Sequence, residues 1–64
     1  MNIRPPVDVG DKLMVSIDAQ GQGGQGIAKI DDFVIFVEKA EVGSRIKVII
    51  EKCARTYANA RRIE

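Results

Sequence analysis

Residues 21–37 read "GQGGQGIAKIDDFVIFV", and the fold turns on the residues that come after the glycines. Gly21, Gly23 and Gly26 have the G-x-G-x-x-G spacing of a loop that cradles a pyrophosphate when it lies between a strand and a helix. The next residues alternate instead, Ala28 and Ile30 against Ile27 and Lys29, which is the period of a strand. No helix N-terminus is predicted to receive phosphate, so the dinucleotide reading falls away. The glycines suit a hairpin connection, where positive φ is available at no steric cost. Gln20, Gln22 and Gln25 then present amides near its tip.

Working outward, "DKLMVSIDAQ" sets Leu13, Val15, Ile17 and Ala19 against Lys12, Met14, Ser16 and Asp18, a strand with one buried face. Asp31-Asp32 predict a tight turn into "FVIFVEKA", rich in β-branched and aromatic residues. Counted from that turn, Val34 and Phe36 are expected on the core side and Phe33, Ile35 and Val37 outside or at a rim. Gly43 turns the chain again. "RIKVIIEKC" puts Ile46, Val48 and Ile50 on one face and Arg45, Lys47, Ile49 and Glu51 on the other. "RTYANARRIE" closes as a fifth strand. Pro5 and Pro6 favour extended backbone without ladder donors, so residues 1–8 are expected to form a flexible arm and residues 9–64 a single domain. The expected fold class is all-β, a small five-stranded antiparallel barrel, closed or nearly so, since closure removes edge strands. Such a barrel fills its interior with side chains and leaves function to its outer face and loops.

A chain of 64 residues buries only about 60% of its unfolded surface, too little for a deep catalytic pocket. There is no histidine, and Cys53 is the single cysteine. An intrachain disulfide, a multi-cysteine zinc site and a nucleophile–base pair are all out of reach. The expectation is a protein with no catalytic residues, no metal and no cofactor. The apolar run "FVIFV" is far short of the ~20 residues that span a bilayer. The start "MNIRPPVDVG" lacks the apolar stretch of a signal peptide. A soluble, cytoplasmic chain with no membrane partner is expected.

Net charge is +1, but it is unevenly distributed. Four basic residues against seven acidic ones leave residues 1–44 at −3, while six against two leave residues 45–64 at +4. A local cationic patch sets the field that a phosphate meets, and this asymmetry points to a polyanion. By alternation Lys29, Arg45 and Lys47 face outward, and Lys52, Arg55, Arg61 and Arg62 lie further on, in the closing strands. Phe33 and Tyr57 are the candidate stacking platforms for unpaired bases, Tyr57 having Arg55 two residues before it.

These residues resemble a TRAM domain. The family pattern has a glycine opening the first strand, a glycine loop entering a Gly-Ile/Val-Ala-basic step, a hydrophobic-Phe-Val strand and a glycine turn. Here these are Gly10, Gly26-Ile27-Ala28-Lys29, Ile35-Phe36-Val37 and Gly43, and the likeness runs from about residue 9 to 63. Asn59 stands where an aromatic is common, and Asp32 where a glycine often closes the hairpin. The resemblance implies an OB-like five-stranded barrel that binds RNA. It is similar to small single-domain archaeal members regarded as RNA chaperones, with a cold-shock-protein-like role on tRNA, rRNA or mRNA and low sequence specificity. The alternative reading is a protein-interaction adaptor that docks on an RNA-modification enzyme or ribosome through Ile27, Ile35 and Ile49. Oligomeric state is left open.

Overall fold

A computed structural model describes residues 6–63. It contains six strands: β1 (Lys12–Ser16), β2 (Ala19–Gln20), β3 (Gly26–Ile30), β4 (Phe33–Val37), β5 (Arg45–Cys53) and β6 (Tyr57–Arg62). Among the described residues the only helical segment is a single 3-10 turn at Gln22–Gly24. No helix among them is long and apolar enough to cross a membrane. The strands form one curled sheet, a half-barrel in the order β1-β5-β6-β4-β3-β2.

The all-β, barrel-like expectation holds, with two refinements. The expected first strand divides in two because the chain changes partner at Ile17–Asp18. The Ile17 N–H donates to the Ser44 carbonyl (2.9 Å), and the Ile17 carbonyl accepts from Gly43 (2.8 Å). One residue on, the Asp18 N–H donates to the Ile27 carbonyl (2.9 Å). The bend joins the two ends of the sheet order, β1 pairing with β5 and β2 with β3. It also turns Ala19, expected inside, out to solvent. The second refinement is that β4 and β6 run parallel while every other pair is antiparallel. Two reversals separate them, one between β4 and β5 and one between β5 and β6, so they must point the same way.

The core is aliphatic. Ile17, Ile35, Val37, Val48 and Ile50 are its largest enclosed side chains, with Ala58 and Ala60 packed beneath β6. Small residues on β6 let the sheet curl tightly, since larger ones would hold the opposite strands apart. Gly26 shows how close the packing is. A Cβ there would lie 2.6 Å from the Ala40 Cβ and 3.0 Å from the Ile17 Cγ2. Val7, within the stretch expected as an arm, is also buried in this core, and its carbonyl accepts from the Cys53 thiol (3.3 Å). Residues 1–5 of that expected arm lie outside the described residues.

Candidate nucleic-acid interface

The hairpin between β3 and β4 fixes which side chains reach the outer face. Its turn is Asp31-Asp32, with Asp31 at φ 54°, a left-handed conformation that Asp tolerates. A turn that short pairs Ile30 with Phe33, Lys29 with Val34 and Ile27 with Phe36. Lys29 must reach water, so Val34 and Phe36 share its face, while Phe33, Ile35 and Val37 turn inward. The expected phase of β4 is therefore reversed. Phe33, expected as an exposed stacking platform, is buried at 6% exposure, and Ile35 of the expected adaptor patch is wholly enclosed. Ile27 and Ile49, the other two members of that patch, are half-buried.

Phe36, expected in the core, lies on the outer face instead. Its ring meets Tyr57 edge to face, with centroids 6.0 Å apart and planes at 68°. Such a T-shaped pair is a favourable aromatic geometry. Tyr57 remains 37% exposed. The strand register sets these rings in two rows. Lys29, Val34 and Tyr57 lie side by side across β3, β4 and β6, and Ile27, Phe36, Asn59 and Lys52 form the next row, reaching β5. With strands about 4.8 Å apart, four of them make a row ~14 Å wide.

Lys52 owes its outward position to a bulge. The β5–β6 register pairs Ile50 with Ala60 but Lys52 with Asn59, so Glu51 is the extra residue. Glu51 and Lys52, adjacent in sequence, are both exposed as a result. Arg61 continues the cationic line on β6, two residues beyond Asn59, and its Nε lies 3.3 Å from the Glu51 Oε2. Both partners are about half in water, so the pair is weak and exchangeable.

The remaining expected residues are more peripheral. Arg45 and Lys47 point outward from the first half of β5, opposite Ser16 and Met14, around the curl from Tyr57. Arg55 is exposed in the turn between β5 and β6 and lines a barrel-end depression of ≈ 360 Å³ with Ile30, Phe33 and the two turn aspartates. Arg62 is exposed at the end of β6 beside Arg61, and the two arginines border a surface depression with Glu38 and Lys39. The structure thus gathers Lys29, Lys52, Tyr57 and Arg61, adds Phe36 and Asn59, and withdraws Phe33. Lys29 carried the signal for Phe36, because an outward lysine and a two-residue turn together settle the phase.

The outer face of this curled β-sheet carries aromatics on its two central strands, β6 and β4, beside lysine and arginine, the surface of a small nucleic-acid-binding module. The chain belongs to the TRAM domain family, whose model matches residues 6–63. It is similar to part of the Ribosomal RNA large subunit methyltransferase E of Methanocella arvoryzae, with 44% identity over 86% of this chain and 22% of that protein. It is 39% identical to part of the Translation initiation factor 2 subunit beta of Picrophilus torridus, over 84% of this chain and 26% of that protein. The chain therefore spans about a quarter or less of these two relatives. A small uncharacterized protein of Methanocaldococcus jannaschii is 36% identical over 91% of this chain and 75% of its own length. Among solved structures, the solution structure of a conserved protein from Methanococcus maripaludis superposes with a TM-score of 0.87 at 43% identity, over 95% of this chain and 87% of that one.

Proposed function

We propose that this chain is a non-catalytic, cytoplasmic RNA-binding protein that acts as an RNA chaperone of low sequence specificity on tRNA, rRNA or mRNA. The observation that carries the reading is the Phe36–Tyr57 pair standing outside the barrel between Lys29, Lys52 and Arg61. Every base has a π-face, so stacking on these rings, worth about 1–3 kcal/mol per base, is indifferent to sequence. The cations neutralise phosphates and release their counterions. Bases inside a duplex are unavailable for stacking. Binding therefore draws the equilibrium toward single strands by mass action, and no ATP is required. Relatives whose names attach them to ribosomal RNA and to translation initiation support an RNA partner.

The test is a titration with unrelated RNAs, and with DNA of the same sequence, followed through backbone amide shifts. Shifts should concentrate on the outer positions of β3, β4 and β6 and differ little among RNAs. A molecular beacon closed by a short RNA stem should open as protein is added without nucleotide triphosphate. Shifts absent from β4 and β6, or a beacon that stays closed at saturating protein, would overturn the proposal.

A further inference from the structure

Between the aromatic pair and the bulge lies a groove of ≈ 270 Å³ lined by Gln25, Phe36, Glu38, Lys52 and Asn59, with Glu51 at its edge. Its chemistry is unlike that of a plain phosphate track. Phe36 supplies an apolar wall. Lys52 donates only, an ionised Glu38 accepts only, and the amides of Gln25 and Asn59 do both. Glu51 lies against Arg61, whereas Glu38 makes no ion pair among the described residues and borders both this groove and the adjoining depression of Lys39, Arg61 and Arg62. Glu38 comes directly after β4 and Lys52 sits on β5, with Asn59 of β6 between the two strands. Lys52 is level with Asn59 and Glu38 two residues further along, so the anion and the cation flank the amide on a diagonal of about 12 Å.

We propose that this groove reads one guanine of the bound strand, an inference that rests on the RNA-binding reading above. Guanine is the base whose edges separate two acceptors, O6 and N7, from two donors on N1 and N2. Lysine to O6 and N7 is a common specific contact, and the two acceptor oxygens of a carboxylate can take N1–H and N2–H together. The Asn59 amide, with its donor and acceptor, bridges the middle of that edge, and Phe36 flanks the ring. Adenine and cytosine would offer only an amino group to Glu38, and uracil only its N3–H. Single-stranded RNA exposes the edges that such a groove needs. Asn59, between Phe36 and Lys52, gives the central position of the face hydrogen-bonding capacity.

The test uses fluorescein-labelled U9 and three derivatives carrying one central G, A or C, read by anisotropy against the wild-type protein, Glu38→Gln and Asn59→Ala. One discriminating contact in an open groove should favour the G-containing strand about five- to tenfold over U9, with A and C close to U9. Both variants should abolish that margin, and Glu38→Gln, which lies outside the stacking face, should do so without weakening U9. In parallel, GMP but not UMP should shift the side-chain amide resonances of Asn59 and Gln25. Equal affinity for all four strands, or a G preference that survives both variants, overturns the groove while leaving the RNA reading intact. Loss of binding to every strand, with the GMP shifts retained, sinks the RNA reading and leaves guanine recognition standing.

Discussion

At the scale of single residues, the two phenylalanines of β4 have opposite roles, and one experiment separates them. Phe33 is 6% exposed, whereas Phe36 is half-buried against Tyr57. Phe33→Ala should cost about 3–5 kcal/mol, because it opens a cavity. That approaches the whole stability such a small core supplies, ~3–5 kcal/mol. Phe36→Ala should keep the fold and lower RNA affinity by about 5- to 150-fold, the equivalent of about 1–3 kcal/mol. Thermal melts followed by anisotropy on the folded variant will distinguish the two. An RNA defect confined to Phe33→Ala in a protein that still melts normally would reverse the assignment. The stretch "FVIFV" is apolar at every position and contains no phase of its own, so its faces could not be read locally. Lys29 did hold the phase, but only once the turn had fixed its partner as Val34.

At the scale of elements, most strands were legible because their polar residues alternate. β5 keeps to the pattern from Arg45 to Ile50, and β6 buries Ala58 and Ala60 beneath Tyr57, Asn59 and Arg61. Two features had no sequence signal. The alternation running on to Ala19 conceals the bend at Ile17–Asp18, since an alanine reads the same in sequence whether it faces the core or, as here, solvent. The bulge at Glu51 looks like ordinary strand, because Glu51 and Lys52 are both polar and either could face out. The bend depends on a close approach that glycine alone permits. Gly26→Ala would push a methyl group into Ala40 and Ile17, with the Ala40 carbonyl oxygen at 3.1 Å. Overpacking of this kind costs about 1–3 kcal/mol. The variant should unfold at a clearly lower urea midpoint with an unchanged slope, whereas Gly43→Asn, at an open turn position with φ 91°, should lose much less. Equal midpoints for the two variants would mean that the crossing is looser than the packing indicates.

At the scale of the whole molecule, the net charge of +1 conceals a cationic face, and the salt dependence of binding tests that face directly. The charge asymmetry between the two parts of the chain was legible from composition. The convergence of Lys29 from the acidic part with Lys52 and Arg61 from the basic part was not, because it comes from β6 lying between β4 and β5. Three to four phosphates neutralised on a single strand give a slope of log K against log salt of about −2 to −3, at ~0.7 per phosphate. Lys52→Ala should make that slope shallower by about 0.7. Arg61→Ala should change it by less, because Glu51 already lies against the guanidinium in the free protein and a phosphate must displace it. Replacing Glu51 by Gln removes that competitor, so Arg61→Ala on the Glu51→Gln background should recover the full change. Because the double comparison cancels the general effect of adding positive charge, it isolates the pair itself. A slope near zero would take phosphate contact away from this face, and identical slopes for Lys52→Ala and Arg61→Ala on the native background would show that the ion pair does not attenuate binding.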